Sequence, residues 1–267
     1  MSAQPVASRS RSIAGANRHT SNLGPSSRVA IVTGASRGVD RAIASRLAAD
    51  GFAVVVNYTS KRGEAEQVIE AIRAAGGKAV AIQADVSKPG DVTRLFEETG
   101  GQFGGVDVLV NNAGIMELKM MGEVSDELFE RTFAINVRGT FYTMRAAAKA
   151  LRSGGRIINF SSSVLGLALP TYAVYSASKA AVEALTKIGA KEFRGKNITV
   201  NAVAPGPTGT DLFLRGKSAE QIEQFSKMPP LERLGAPEDI ANVVSFLASK
   251  DGGWINGQTI RANGGVV

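Results

Sequence analysis

Two side chains that can carry acid–base chemistry stand four residues apart, Tyr175 and Lys179. The segment around them has the apolar spacing of a helix, and residues four apart on a helix lie on one face. A free phenol has a pKa of about 10, and a neighbouring ammonium favours the phenolate, which brings the phenol toward a useful catalytic range. The pair therefore predicts proton transfer by Tyr175.

The composition excludes several other kinds of chemistry. The chain has no cysteine, and its single histidine is His19. Thiol nucleophiles, disulfides and redox cysteine pairs are therefore excluded, and no metal site is expected. No histidine inside the folded part is available for a Ser-His-Asp relay. The acid–base group must be another side chain, and Tyr175 is the candidate.

A glycine-rich turn, TGASRG at residues 33–38, follows the first apolar run and precedes a stretch of helical spacing. Glycines in such a turn let the backbone approach a pyrophosphate, and the N–H groups at the start of a helix favour negative charge. Dinucleotide-binding domains place this turn between the first strand and the first helix. The turn therefore predicts a dinucleotide site.

The elements that must position these residues alternate regularly from Arg28 onward. We expect strands at residues 29–32, 53–56, 79–82, 108–110, 156–160, 199–203 and 258–261. We expect helices at residues 41–49, 64–75, 92–98, 136–151, 176–193 and 237–247. Alternating strands and helices form a parallel sheet. The predicted fold is α/β, a Rossmann-like doubly wound parallel sheet of about seven strands with helices on both faces, in one domain over residues 28–267.

Two segments depart from this alternation. Residues 1–27 lack hydrophobic periodicity and are rich in Ser, Arg, Ala and Gly, which predicts a disordered tail, with a transit peptide as the alternative. Residues 208–234 contain Pro and Gly around a short helical stretch, which predicts a lid or substrate loop. Because no apolar run is long enough for a membrane span, we expect a soluble, cytoplasmic protein without a membrane partner.

The charge does not favour a nucleic acid as a partner. The net charge is +7, and the three arginines of residues 1–27 leave only +4 for the rest. Nucleic-acid binding would need Lys and Arg clustered with aromatic residues. The cations near the expected dinucleotide site, Arg37, Lys61 and Arg62, suit a phosphate instead.

The order of the motifs resembles the short-chain dehydrogenase/reductase family over essentially the whole chain from Arg28. After the TGASRG turn come Asp85-Val86, NNAG at 111–114, Asn136, three serines at 161–163, YSASK at 175–179, and PG at 205–206 with Thr208 and Thr210. The resemblance implies an oxidoreductase that transfers hydride between a nicotinamide cofactor and a small carbonyl compound.

The resemblance also implies a set of cofactor-binding residues at the ends of the strands. They are Gly34, Ser36, Arg37, Gly38, Val39, Asn57, Tyr58, Ser60, Lys61, Asp85, Val86, Asn112, Ala113, Gly114, Tyr175, Lys179, Pro205, Gly206, Thr208 and Thr210. Family members that use NAD end the second strand with an acidic residue. This chain has Asn57 there, which does not repel a 2′-phosphate, and Arg37, Ser60 and Lys61 could contact one. NADP(H) is therefore the expected cofactor.

The catalytic roles follow from the same resemblance. Tyr175 would protonate the carbonyl oxygen, Lys179 would also hold the nicotinamide ribose, and Asn136 would anchor a water that relays protons. One serine of three would position the substrate oxygen. The two-residue step to a glycine favours Ser163, whereas a spacing of thirteen residues before the tyrosine favours Ser162. We assign Ser163 and keep Ser162 as the alternative.

One residue departs from the family pattern, because Asp40 stands where the third glycine of the turn is expected. Its carboxylate adds bulk and negative charge beside the expected pyrophosphate. At about 5 Å and an effective dielectric of about 20, the repulsion is about 3 kcal/mol before screening. Three explanations for a carboxylate at this position remain open: its side chain turns to solvent, the substitution is deliberate or accidental, or the protein has lost catalysis. We predict that Asp40→Gly tightens NADPH binding.

Apolar residues flank the motifs and predict a mostly apolar substrate pocket or, alternatively, a subunit interface. These are Met116, Leu118, Met120, Leu165, Leu167, Leu169, Phe213, Leu214 and Met228. We expect NADPH-dependent reduction of an aldehyde or ketone. A 3-oxoacyl thioester reductase is the alternative, and a catalytically impaired nucleotide-binding protein is less favoured. The family commonly forms tetramers through helices that begin near Ser125 and Thr171 and through the C-terminal strand, so we expect a homotetramer.

Overall fold

The computed structural model of the protein describes residues 27–36 and 38–267, together with Met1. Most of the predicted tail and Arg37 therefore lie outside the described residues. Seven strands form one sheet in the order β3-β2-β1-β4-β5-β6-β7, and every pairing is parallel. They are β1 (Val29–Val32), β2 (Ala53–Tyr58), β3 (Lys78–Gln83), β4 (Val106–Asn111), β5 (Leu151–Phe160), β6 (Thr199–Pro205) and β7 (Thr259–Ala262). The predicted fold class is confirmed.

Helices connect the strands and cover both faces of the sheet. They are α1 (Gly38–Ala49), α2 (Arg62–Ala74), α3 (Pro89–Phe103), α4 (Asp126–Phe133), α5 (Gly139–Ala150), α6 (Val164–Leu167), α7 (Ala173–Glu192), α8 (Asp211–Leu214), α9 (Ala219–Lys227) and α10 (Pro237–Ala248). The helix expected at 136–151 is the second half of a longer one. It begins with α4 and continues through a π-helical turn, Ala134–Arg138, into α5.

The core has two layers, one on each face of the sheet. Along β1, the side chains of Ala30 and Val32 pack with α1, α2 and α10, whereas Ile31 between them packs with α3 and α5. Successive side chains of a strand point to opposite faces, so a sheet covered on both faces needs apolar residues at every position. Within the described part of the chain, no helix is long and apolar enough to cross a membrane.

The strand order reverses beside β1, which pairs with β2 on one side and with β4 on the other. In such sheets a crevice opens at the carboxyl ends of the two strands where the order reverses. Thr33 joins these ends, since its hydroxyl accepts hydrogen bonds from the N–H groups of Asn112 and Ala113, both at 3.1 Å. The glycine turn and the NNAG segment therefore meet at one edge of the sheet.

Candidate active site

The glycine turn after β1 lies directly against the loop after β4. Gly34 has φ +71°, and a Cβ added there would lie 3.0 Å from the Cα of Ala113. Both the backbone angle and the close approach require glycine. The turn therefore lies directly beside the NNAG segment at the crevice, immediately before the start of α1, where a phosphate could bind.

Asn57 does not face the crevice as a cofactor contact, although the sequence predicted it there. Its side chain is 1% exposed. Its Oδ1 accepts from the Gly34 N–H at 3.3 Å, and its Nδ2 donates to the carbonyls of Ile82 at 3.2 Å and Ala84 at 3.0 Å. The side chain points inward and ties the glycine turn to the end of β3, so Asn57 positions the turn.

The predicted adenosine end of the crevice carries both cations and carboxylates. Tyr58 is buried at the end of β2, whereas Ser60 and Lys61 are exposed. Ser36, in the glycine turn, donates its hydroxyl hydrogen bond to Glu64 Oε2 at 3.3 Å. Arg37 lies outside the described residues, so the structure does not test its predicted contact.

The Asp85-Val86 pair lies beyond β3, beside the same end of the crevice. The Asp85 side chain accepts from the N–H of Ser87 at 3.0 Å and from its hydroxyl at 2.7 Å. Val86 is buried and packs so closely on Gly139 that a Cβ added there would lie 2.8 Å from Val86 Cγ2. The pair is thus fixed by its own turn and by the start of α5.

Asp40 lies in the first turn of α1, after Gly38 and Val39, and is half-buried. Its carboxylate accepts a hydrogen bond from the side chain of Asn112 across the crevice. Its charge also favours the protonated form of Lys179. The side chain is therefore not turned to solvent, and that first explanation for the departure is wrong. A carboxylate lies inside the predicted cofactor crevice.

Asn136 occupies the π-helical turn between α4 and α5 and is 1% exposed. Its Oδ1 accepts from the Ile115 N–H at 2.8 Å, and its Nδ2 donates to the Ile115 carbonyl and to Ser178 Oγ, each at 3.0 Å. π-helical turns are common at functional sites. The amide ties the loop after Gly114 to α7, and the water anchor expected from the sequence stays a prediction.

Tyr175 and Lys179 lie on one face of α7, as their spacing predicted. The Lys179 ammonium donates to the carbonyl of Phe160 at 2.7 Å and lies 5.6 Å from the centre of the Tyr175 ring. Burial raises the pKa of Tyr175 to about 12, although its hydrogen bond with Ser162 acts in the opposite direction. The expected net lowering of the Tyr175 pKa is thus wrong for this structure, because burial disfavours the charged phenolate.

Burial lowers the pKa of Lys179 to about 8, and the charge of Asp40 opposes that lowering. The lysine is almost fully buried and has a carbonyl as its hydrogen-bond partner. An ammonium held this way can lose its proton near neutral pH, which suits a residue beside a proton-transfer centre.

The three serines after β5 have different partners. Ser161 donates to Glu183 at 2.7 Å, whereas the Ser162 hydroxyl accepts from the Val164 N–H at 3.3 Å and acts to lower the pKa of Tyr175. Ser163 is buried, donates to the Ala204 carbonyl at 3.1 Å and accepts from Asn263 Nδ2 at 3.0 Å. The geometry therefore favours the alternative, Ser162, as the serine beside the reacting oxygen.

The end of β6 closes the crevice from the other side. Pro205 and Gly206 end the strand, and the Thr208 hydroxyl donates to the Gly206 carbonyl at 2.9 Å. Thr210 caps α8 by accepting from the Phe213 N–H at 3.3 Å, and a Cβ added at Gly38 would lie 3.7 Å from its methyl group. The predicted residues of this segment thus lie against the start of α1.

The predicted lid contains two helices, α8 and α9. The Lys217 ammonium lies 4.4 Å from the ring centre of Phe213 in α8 and 5.8 Å from that of Phe225 in α9. These two contacts join the helices. Most of the predicted substrate-wall residues are half-buried, as expected for an open pocket, and these are Met116, Leu118, Leu165, Leu167, Leu169, Phe213 and Leu214. Met120 and Met228 are exposed.

Two residues of the site were not predicted, Glu64 and Asn263. Asn263 precedes Gly264-Gly265 in the C-terminal segment, and this glycine pair was the signal that could have indicated it. Besides Ser163, its side chain binds the Val267 carbonyl at 3.3 Å and the Gly265 N–H at 2.9 Å. Glu64 looks like an ordinary acidic residue at a helix start, so no sequence signal indicated its contact with Ser36.

The chain matches known proteins over most of its length. A family model described as Enoyl-(Acyl carrier protein) reductase matches residues 34–267. A short-chain type dehydrogenase/reductase from Picea abies is 46% identical over 250 residues, which cover 90% of this chain and 92% of that protein. NADPH-dependent aldehyde reductase 2, chloroplastic, from Arabidopsis thaliana is 46% identical over 253 residues, covering 89% and 93%.

A solved structure shows the same architecture. The crystal structure of a short chain dehydrogenase from Burkholderia cenocepacia in complex with NADP has a TM-score of 0.85 to this chain at 35% identity. The alignment covers 90% of this chain and 97% of that one. The likeness therefore extends over the sheet, the helices and the crevice between them.

Proposed function

This chain belongs to the short-chain dehydrogenase/reductase family, and from that premise we propose that it reduces an aldehyde or ketone to an alcohol, with Tyr175 as the proton donor. It is an oxidoreductase of this family, and NADP(H) is its cofactor, as in the NADPH-dependent Arabidopsis relative and the NADP complex. The observation that carries the proposal is the position of the buried Lys179 ammonium, 5.6 Å from the centre of the Tyr175 ring on the same face of α7.

The crevice residues fit a dinucleotide. The glycine turn lies where the strand order reverses, directly before α1, and Gly38 at the start of that helix is exposed. The turn would hold the pyrophosphate, Ser36 and Lys61 the 2′-phosphate, and Lys179 the nicotinamide ribose. When bound, NADPH supplies the hydride that adds to the carbonyl carbon.

Tyr175 supplies the proton that the carbonyl oxygen takes. Because burial raises the pKa of its phenol to about 12, Tyr175 is protonated at neutral pH, which is the form that a proton donor needs. The Ser162 hydroxyl would hydrogen-bond the same oxygen and place it. As the C=O double bond becomes single, the carbon gains hydride, the oxygen gains the phenol proton, and the phenolate then regains a proton from solvent.

The substrate class is supported by the apolar residues around the crevice and by the aldehyde reductase relative. A 3-oxoacyl thioester is the second candidate, since the matching family model is described by an acyl carrier protein substrate. A panel of aliphatic and aromatic aldehydes, ketones and a 3-oxoacyl thioester, each tested with NADPH, separates the two candidates by kcat/KM.

The proton-donor role is tested by Tyr175→Phe, with Tyr142→Phe as a matched control in α5. We expect Tyr175→Phe to lower kcat for the preferred carbonyl by about 10²–10⁴-fold while NADPH still binds, because only the transferred proton is lost. Tyr142→Phe should keep its rate. Equal rates in both variants would contradict the role of Tyr175, and NADPH binding without reduction of any carbonyl would favour a non-catalytic nucleotide-binding protein.

The expected homotetramer is supported by apolar side chains exposed on two faces. One group lies on α4, α5 and α7, with Phe129 42%, Phe141 44% and Ile188 54% exposed. The other lies near β7, with Phe246 44% and Trp254 98% exposed. Large apolar side chains exposed in this way are common where subunits contact each other.

The predicted cytoplasmic location differs from the compartment named for one relative. The Arabidopsis relative is named chloroplastic, and most of residues 1–27 lie outside the described residues. The cytoplasmic location therefore stays a prediction, which fluorescence microscopy of the full chain in its own cells would test.

A further inference from the structure

A carboxylate of the chain already accepts a hydrogen bond from one of the predicted cofactor-binding residues. Ser36 and Glu64 are both half-buried, and the serine hydroxyl donates to Glu64 Oε2 at 3.3 Å. Ser36 belongs to the turn before α1, and Glu64 lies in the first turn of α2. The contact thus joins the two elements between which the adenosine end of a dinucleotide would lie.

The charges at this end of the crevice nearly cancel among the described residues. Lys61 and Arg62 supply two positive charges at the start of α2. Arg62 is paired with Glu66, with Nε and Oε1 2.6 Å apart, and Glu64 lies on the same helical turn. Asn57, where an acidic residue would select NAD, is buried and neutral. Among the described residues, Glu64 is the carboxylate that contacts the glycine turn, so its charge acts on the choice between the two cofactors.

We propose that Glu64 is a specificity-determining residue for the cofactor, whose carboxylate opposes the 2′-phosphate of NADP(H) and leaves NAD(H) as a second, weaker cofactor. This inference rests on the proposed function. Two consequences of the Ser36–Glu64 contact support it. The phosphate must take the Ser36 hydroxyl from Glu64, and it must then lie near that carboxylate.

The two cofactors respond differently because only one carries charge at this position. The ribose of NAD(H) ends in hydroxyls, which donate to a carboxylate. The 2′-phosphate of NADP(H) only accepts hydrogen bonds from neighbouring groups, and its negative charge is repelled by a carboxylate. A unit charge a few ångströms away on a partly exposed surface changes affinity by about tenfold after screening. Glu64 therefore reduces the ratio of the affinity for NADP(H) to that for NAD(H), but NADP(H) still binds more tightly.

The test compares the dissociation constants of NADPH and NADH for the full chain and for Glu64→Gln, by fluorescence titration. Glutamine keeps the size of the side chain and removes its charge. We expect NADPH to bind about tenfold more tightly to Glu64→Gln, with NADH unchanged or weaker. Glu70→Gln is the matched control, because it removes an exposed carboxylate from the same helix. It should change neither constant by more than about twofold.

Fragments of the cofactor locate the effect. Adenosine 2′,5′-bisphosphate carries the 2′-phosphate, and adenosine 5′-monophosphate lacks it. Glu64→Gln should tighten the bisphosphate alone, and Ser36→Ala in the same background should reduce that gain. An equal change for both fragments, or for both cofactors, would overturn the inference and leave the proposed function intact. Failure of the unaltered chain to bind either cofactor would overturn both.

Discussion

Ser162 and Ser163 are adjacent, but their hydroxyls have different partners, so alanine variants should separate catalysis from stability. Ser162→Ala removes the hydroxyl beside Tyr175 and should lower kcat/KM about 10²-fold at little cost in stability. Ser163→Ala leaves the Ala204 carbonyl and one Asn263 contact unsatisfied in the interior. It should lower the free energy of unfolding by about 1–2 kcal/mol.

Urea denaturation and steady-state kinetics on both variants check this pair of expectations. The two proteins serve as controls for each other, because each loses one hydroxyl from the same loop. If Ser163→Ala lost the rate and Ser162→Ala kept it, the original assignment from the sequence would be correct and the geometric argument would fail.

Lys179 predicts an alkaline limit to the reaction. Burial lowers its pKa to about 8, so the ammonium is present below that pH and is lost as the pH rises through it. We expect kcat/KM for reduction to fall above pH of about 8. Asp40→Asn removes the charge that favours the ammonium. The fall in kcat/KM, which is the alkaline limb of the pH profile, should therefore move to lower pH.

A pH series of kcat/KM on the unaltered chain, Asp40→Asn and Lys179→Arg measures the effect. The arginine variant stays charged over the whole range, so any activity that it keeps should lack the limb. A limb that stays in place in Asp40→Asn would show that Asp40 does not act on Lys179.

Asp40 also bears on cofactor affinity. Asp40→Gly removes a carboxylate from the crevice and frees the side chain of Asn112. NADPH should bind at least about tenfold more tightly, since most of the repulsion between the carboxylate and the pyrophosphate is removed. The variant should lose about 0.5–1 kcal/mol of stability, because glycine is unfavourable inside a helix. A titration that gives an unchanged dissociation constant would contradict the prediction.

Residue types and spacing predicted which motifs form the site, but not which way single side chains point. Tyr175 and Lys179 were predictable because helical geometry fixes side chains four apart on one face. The choice between Ser162 and Ser163 depends on the backbone path after β5, and the inward orientation of Asn57 depends on hydrogen-bond partners at the end of β3. These partners are distant in sequence, so no local pattern indicates them.

At the scale of elements, the π-helical turn links three segments through Asn136. Asn136→Ala would leave the backbone of Ile115 without partners and Ser178 without a donor. We expect a loss of about 2 kcal/mol in the free energy of unfolding and a higher KM for NADPH, because the NNAG loop loses its support.

Chemical denaturation together with NADPH titration tests this expectation. Asn242→Ala, on the exposed surface of α10, is the control and should change stability by less than about 0.5 kcal/mol. Unchanged stability and KM in Asn136→Ala would show that the loop holds its position without the amide.

The strand ends were predicted to within two residues except in β5, which begins five residues earlier than expected. Buried parallel strands are short β-branched runs that the sequence displays directly. Helix α4 and the π-helical turn were not predicted as one continuous helix with α5. Helix α4 is only eight residues long, too short to repeat its apolar spacing over several turns, and a π-helical turn shifts the helical period by one residue.

For the whole molecule, the exposed apolar groups predict an assembly that a charge would disrupt. Trp254→Asp introduces a carboxylate on the surface near β7, where it costs the single chain little because the side chain is already exposed. Size-exclusion chromatography with light scattering should show four subunits for the unaltered chain and two for the variant. Met121→Asp, also at an exposed position, is the control and should stay tetrameric. A single-subunit mass for the unaltered chain would rule out the assembly.

Trp254 is the only tryptophan in the sequence, and in the single chain its indole is almost entirely in solvent. Indole emission shifts to shorter wavelength when its surroundings change from water to protein. The chain therefore has one built-in optical reporter at the position expected to become covered on association. Dilution of the unlabelled protein, followed by emission wavelength alone, would give its association constant, and the folding of each subunit would contribute little to the same signal.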